Sequence, residues 1–314
     1  MDTSRVSTLM LPPVVDIREV GPRDGLQIEA PISTEAKFEL LRALAATGAT
    51  RIEATAFVSA KAVPSMADAE EIAPFVQTIP GVTWSALVAS PNGARRAVDA
   101  GFQTIEYVVS AADGHSLANV RRPTRESLAA VDEVSSIVHA AGGRLEVIIA
   151  TAWDCPFDGA TPPERTTWVA RGAVDLGADQ LCLGDTIGTT SPARVVSLIE
   201  TVRAACPGVP VGVHFHNTRG VGIANALAAL QAGVTQLDAS VGGMGGCPFA
   251  PGASGNIATE ELLYMLEDAG VRTGMDADAV LSAAALAQNL VGHALDSNLL
   301  RAGGRSTPRP RVRP

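Results

Sequence analysis

The sequence predicts a (β/α)8 barrel, an α/β fold of the TIM type with closing helices at its C-terminus. Three observations carry this. Eight short apolar segments recur along the chain, helical patterns separate them, and a helix-ending glycine stands four residues ahead of a strand at four places. A doubly wound open sheet is the other arrangement that such alternation allows.

The repeated unit is the sharpest of the three. It reads Gly48-Ala-Thr-Arg-Ile52, Gly101-Phe-Gln-Thr-Ile105, Gly177-Ala-Asp-Gln-Leu181 and Gly233-Val-Thr-Gln-Leu237. A glycine just past a helix supplies the left-handed conformation that closes it, and the Ile or Leu four residues on opens a buried strand. The next residue is Glu53, Glu106, Cys182 or Asp238. Because strand side chains alternate, these four share one direction relative to the barrel.

Strands are predicted over 14–20, 51–55, 83–89, 104–110, 144–150, 180–184, 210–216 and 236–241. Helical patterns at 34–46, 125–141, 164–176, 191–205 and 222–232 are long enough for crossovers between parallel strands. Two more, 259–269 and 277–294, follow the eighth strand and close the barrel. Residues 1–13 read as an N-terminal extension, 14–298 as the barrel domain, and 299–314, where Arg alternates with Pro, Gly and Ser, as a disordered tail.

Composition narrows the function. With 46% hydrophobic and 18% charged residues in 314, the chain can bury a large core. A net charge of -9 argues against nucleic acid, whose phosphates demand clustered Lys and Arg. No secretory leader and no apolar run long enough for a membrane span is present, so a cytoplasmic protein acting on a small molecule is expected. Cys155, Cys182, Cys206 and Cys247 form no CxxC pair and read as free thiols.

In such barrels the reactive groups sit at the C-terminal ends of strands and in the loops beyond. After the first strand comes Gly21-Pro-Arg23-Asp24-Gly25, either a surface turn with a salt bridge or a site. Glu53 lies in an apolar strand and needs a partner, since an unpaired buried carboxylate is costly. The seventh strand ends in His214-Phe215-His216, and residues i and i+2 project about 6.6 Å apart on one face. Two imidazoles can therefore meet one metal. With the Asp24 carboxylate and an Asn amide oxygen the donor set favours Mg2+ or Mn2+, and zinc with two His and one Asp stays open. After the eighth strand, six glycines fall between Gly242 and Asn256, around Cys247. That loop can open and close over a ligand, and its Cys is either an inert thiol or a proton-transfer group near neutral pH.

At these motifs the chain resembles the 3-hydroxy-3-methylglutaryl-CoA lyase family, within a wider group of metal-dependent barrels that includes isopropylmalate and homocitrate synthases. The matching pieces are Glu19-Val-Gly-Pro-Arg-Asp-Gly-Leu-Gln27, Ile52-Glu53 running into Phe57-Val-Ser59, Leu183-Gly-Asp-Thr-Ile-Gly188, Val213-His-x-His216 and Gly245-Gly-Cys-Pro-Phe-Ala-x-Gly-Ala-Ser-Gly-Asn256. The Cys loop separates the lyases from the synthases. The resemblance implies an acyl-CoA substrate, a homodimer, and a retro-Claisen cleavage of the C2–C3 bond of a 3-hydroxyacyl-CoA. It further implies Asp24, His214, His216 and Asn256 as metal ligands and Arg23 as the group that neutralises the enolate oxygen. Cys247 becomes the acid that protonates the enolate, with Glu53 and Asp185 as supporting carboxylates.

Three segments depart from the better-known lyases. Asn217-Thr218-Arg219-Gly220 replaces Asp-Thr-Tyr-Gly, Ala152-Trp-Asp-Cys-Pro156 is bulkier and more acidic, and Asp113-Gly-His115 through Arg122-Pro-Thr124 is similar to the synthases in spacing. Trp153 and Arg219 are accordingly expected to contact substrate beside Arg23, and the substrate to be methylglutaryl-CoA or a relative such as citramalyl-CoA. A condensing synthase is disfavoured by the Cys247 loop and by a chain too short beyond the eighth strand for a regulatory domain.

Overall fold

The four glycines of the repeated unit all adopt positive φ: 86° at Gly48, 95° at Gly101, 101° at Gly177 and 81° at Gly233. Each ends a helix and turns the chain back into a strand, as the spacing predicts. At Gly48 a side chain would also collide with the Gly274 carbonyl oxygen, 2.5 Å from the position of a Cβ.

The computed structural model describes residues 10–246 and 255–304. Eight parallel strands close into a barrel: β1 (Asp16–Glu19), β2 (Arg51–Phe57), β3 (Thr83–Val88), β4 (Thr104–Ser110), β5 (Arg144–Ala150), β8 (Gln180–Asp185), β9 (Val211–Phe215) and β10 (Gln236–Ala239). Each pairs with the next, and β1 seals the barrel against β10, with Asp16 opposite Gln236 and Glu19 opposite Ala239. The open sheet is thereby excluded. A two-residue ribbon, β6 (Asp154–Cys155) with β7 (Gly159–Ala160), lies in the loop after β5.

Helices cover the outside: α1 (Thr34–Ala45), α2 (Ala69–Val76), α3 (Pro91–Asp99), α5 (Thr124–Ala140), α6 (Pro163–Asp175), α7 (Pro192–Ala205) and α8 (Gly222–Gln231). Ser33 starts α1 by accepting the Ala36 N–H, and Ser90, with Pro91 in the first turn, does the same for α3. The segment 113–120, read from sequence as loop, is a further helix, α4 (Asp113–Val120), ended by Arg121 at φ 58°. Beyond the barrel come α9 (Thr259–Asp268), α10 (Ala277–Val291), which stops at the left-handed Gly292, and α11 (Asn298–Ala302). Ser297 caps α11, so the predicted tail begins as a helix through Ala302; its stretch 305–314 lies outside the described residues. The first strand is shorter than predicted because Val14 pairs with Arg272 instead.

Alternation along the strands divides the buried residues. Ile52, Ile105, Leu181 and Leu237 belong to the apolar core under the helices, while Glu53, Glu106, Cys182 and Asp238 turn into the barrel lumen. TIM barrels commonly fill that space with branched apolar side chains. Here Arg18 and Glu146 join the inward set, and Arg18 reaches across to Glu106, Glu146 and Asp238.

Candidate metal centre and active site

The loop after β1 is a π-helical turn, Gly21–Gly25, closed by the Gly25 N–H on the Val20 carbonyl at 3.2 Å. Such turns are rare and recur at functional sites. This one presents the consecutive Arg23 and Asp24 at the C-terminal mouth of the barrel. Glu19 holds it from beneath: its Oε1 accepts the N–H of Gly21 at 2.8 Å and of Val241 at 3.0 Å, and its Oε2 the Thr259 hydroxyl at 2.6 Å. One buried carboxyl thus joins the turn after β1 to the turn after β10. Burial pushes it up to about 7 despite those hydrogen bonds.

Asp24 Oδ2 faces His214 Nε2 at 3.9 Å and His216 Nε2 at 3.8 Å, and ligand atoms of the three lie within 4.8 Å of one another. Burial works against the Asp24 charge, but Arg23 and the two imidazoles outweigh it and hold the carboxyl far below the usual range. His214 is fixed from behind by Asp238, whose Oδ2 lies 3.1 Å from Nδ1, so Nε2 points to Asp24. Asn256, bridged to His216, donates its Nδ2 to Asp24 at 2.8 Å and to the Met244 carbonyl at 2.9 Å. Its Oδ1 is buried with no hydrogen-bond partner. A buried acceptor so placed, beside a carboxylate and two imidazoles, suits a divalent cation. The loop runs close over this group, because a side chain at Gly245 (φ 115°) would meet Asn256 Nδ2 at 2.6 Å.

Arg23 Nε lies 2.7 Å from Glu53 Oε2 and Nη1 lies 2.7 Å from Asp24 Oδ1. The Nε–H is not aimed along the first contact, which is an ion pair rather than an aligned hydrogen bond. Glu53 also meets Glu106 in the lumen. Two buried carboxyls in contact cannot both ionise, and burial with the Glu106 charge raises Glu53 well above the carboxylate range, while Arg18 and the Glu53 hydrogen bond lower Glu106 against its own burial. Asp185, at the end of β8, accepts the N–H of Thr189 at 3.0 Å and of Thr190 at 3.2 Å. Burial raises it, partly offset by those bonds and by His216.

Arg23, Asp24, His214 and His216 line a cavity of about 320 Å³. His115, Asn119 and Arg122, from the segment between β4 and α5, line the same cavity, as do apolar residues such as Val58, Leu87 and Val108. His115 Nδ1 is 2.7 Å from Ser110 Oγ, and burial drives the ring down to about 4, keeping it neutral. These three residues were missed in sequence as site residues, although their segment stood out for its spacing. Two expected substrate contacts lie elsewhere. Trp153 is 3% exposed, packed 5.8 Å from the Phe215 ring with its N–H on the Arg194 carbonyl. Arg219 is at the surface, donating to the carbonyls of Ile187 and Gly188. Neither reaches the cavity, because the loop after β5 folds back into the ribbon and the carbonyls after β8 hold Arg219. Cys247 lies outside the described residues; its neighbour Gly246 lines the cavity.

A charged, π-turned rim with a carboxylate and two imidazoles at the mouth of a closed parallel barrel is a candidate metal site on an α/β-barrel scaffold. The chain belongs to the HMGL-like family, whose pattern it matches over residues 14–287. It is 38% identical over 291 residues to the hydroxymethylglutaryl-CoA lyase YngG of Bacillus subtilis, covering 92% of this chain and 97% of that one. It is 39% identical over 300 residues to the (R)-citramalyl-CoA lyase of Chloroflexus aurantiacus, covering 92% and 95%. Among solved structures, an HMG-CoA lyase from Acinetobacter baumannii in complex with coenzyme A and 3-methylmalate superposes with a TM-score of 0.91 at 36% identity, covering 95% of this chain and 98% of that one.

Proposed function

We propose that this protein is a carbon–carbon lyase that cleaves 3-hydroxy-3-methylglutaryl-CoA to acetyl-CoA and acetoacetate. The observation that carries the reading is Arg23, Asp24, His214 and His216 lining one cavity, with the unpartnered Asn256 Oδ1 on the side chain that donates to Asp24. The C2–C3 bond breaks, its electron pair passes into the thioester as an enolate, C3 becomes the ketone as its hydroxyl proton leaves, and C2 takes a proton. Asp24, His214, His216 and Asn256 would hold a divalent ion, Mg2+ or Mn2+, which when bound would lower the pKa of that hydroxyl. Arg23 donates to the thioester oxygen where charge develops, and its ion pairs with Glu53 and Asp24 fix the guanidinium for that task. Cys247 delivers the proton to C2, and Asp185 stiffens the turn after β8 beside His216. On this reading the chain acts in the cytoplasm and, as the resemblance implies, as a homodimer. No described helix is long and apolar enough to cross a membrane.

A second substrate, citramalyl-CoA or a longer 3-hydroxy-3-alkylglutaryl-CoA, is the alternative raised by the segment that departs from the better-known lyases, of which His115 and Arg122 line the cavity. Purified protein with Mg2+ is incubated with methylglutaryl-CoA and with citramalyl-CoA, and acetyl-CoA release is followed. The faster reaction identifies the substrate. Release from neither, alongside acyl condensation in the reverse direction, would replace the lyase reading by a synthase.

A further inference from the structure

Arg18 lies in the lumen, away from the cavity and from the metal-facing atoms, and is 1% exposed. Its guanidinium engages three carboxylates from three other strands. Nε and Nη2 grip the two oxygens of Asp238 at 2.9 and 2.7 Å, Nη2 reaches Glu146 at 2.8 Å, and Nη1 contacts Glu106. Two of these partners lead to opposite halves of the site. Asp238 Oδ2 is also 3.1 Å from His214 Nδ1. Glu106 neighbours Glu53 in the lumen, and Glu53 pairs with Arg23 Nε at 2.7 Å.

We propose that Arg18 is a positioning residue for the active site, setting the His214 imidazole through Asp238 and the Arg23 guanidinium through Glu106 and Glu53. The inference rests on reading Asp24, His214 and His216 as the metal centre.

The geometry explains why an arginine is needed. A two-point grip on Asp238 fixes the plane of that carboxylate, so the lone pair on Oδ2 stays directed at His214 Nδ1 and the proton of the ring stays on that side. Nε2 is then left as an acceptor facing Asp24. The third arm sets Glu106 against Glu53, which in turn limits the swing of Arg23. Stability alone is a weak reason to bury such a network, since ion pairs taken from water return little net energy. Outer-shell partners of a ligating imidazole, by contrast, typically change metal affinity about 10- to 100-fold when removed.

Three substitutions test this, with Mn2+ binding to chelator-stripped protein measured by calorimetry alongside steady-state cleavage of the preferred acyl-CoA. Arg18→Lys keeps the charge but cannot grip two oxygens at once. It is expected to weaken Mn2+ binding about 10-fold and lower kcat at least about 10-fold, with KM within about threefold. Glu106→Gln cuts only the arm to Glu53 and Arg23, so kcat falls while Mn2+ affinity holds. Glu146→Gln removes a partner that leads to neither half, so melting temperature falls while Mn2+ affinity and kcat hold. The proposal is overturned if folded Arg18→Lys matches the parent in both readouts, or if Glu146→Gln loses both as Arg18→Lys does. Should Arg18→Lys fail to fold, parental kcat in Glu106→Gln overturns it. A parent protein that binds no Mn2+ removes the metal-site reading itself, a result distinct from any of these.

Discussion

His214 presents Nδ1 to Asp238 at 3.1 Å and Nε2 to Asp24 at 3.9 Å, so one ring is held by a carboxylate from the lumen and offered to another at the mouth. His216 shares only the second carboxylate, and its Nδ1 has no hydrogen-bond partner. His216→Ala is therefore expected to lower bound divalent metal and activity together, and chelation to abolish turnover. Metal analysis and rate measurement on one preparation check this; full activity in the chelated, metal-free protein would refute it.

Cys247→Ser should lower kcat by about 10²- to 10⁴-fold with little change in KM, because Ser keeps the size but has a far higher pKa. Cys155, Cys182 and Cys206 are buried and should alkylate slowly. Cys247 should react first and be protected by a substrate analogue. Near-parental kcat in the Ser variant would leave the thiol without a catalytic task.

Acyl preference should follow His115 and Arg122 rather than the two residues singled out in sequence. His115→Leu and Arg122→Leu are expected to change the ratio of kcat/KM for methylglutaryl-CoA over citramalyl-CoA several-fold, and Arg219→Tyr to leave it unchanged. Trp153→Ala should cost about 3–5 kcal/mol of stability, the usual loss for a buried aromatic ring, with the ratio preserved. A ratio that moves with Arg219→Tyr and not with His115→Leu would reverse this assignment.

Glu19 makes stability depend on pH. Its folded pKa of about 7 lies above the ordinary 4.5, so between those values the native state holds a proton that the unfolded chain lacks. Its contribution is complete below about 4.5 and is lost as pH rises through about 7, a change of roughly 3 kcal/mol. Glu19→Gln retains an acceptor oxygen for the Gly21 and Val241 N–H groups and should flatten the fall in melting temperature between pH 5 and pH 8, as set by that shift. Parallel melting curves for parent and variant would discount the titration.

The residues legible in sequence were those whose direction follows from a short offset. Five positions past a helix-ending glycine, Glu53, Glu106, Cys182 and Asp238 all turn inward, and two positions apart, His214 and His216 share a face. What no offset encodes is the partner across the lumen. Arg18 gave no signal on its own strand, since its contacts come from β4, β5 and β10. Trp153 and Arg219 show a related limit: an unusual residue type beside a site does not say which way a loop folds, and here one turns into the core and the other to neighbouring carbonyls. His115 was hidden because the loop holding it forms a helix, which rotates that ring into the cavity.

The seam between β1 and β10 gives the candidate cation site a place in time. Asp24 follows the first strand of the barrel, whereas Asn256 follows its last, and the hydrogen bond between them spans 232 positions. Contacts this distant in sequence must wait for most of the chain, and they form late and slowly. A nascent or truncated chain that stops short of β10 carries Asp24, His214 and His216 but lacks Asn256 and the strand that seals the barrel, so metal uptake would report that the ring has shut.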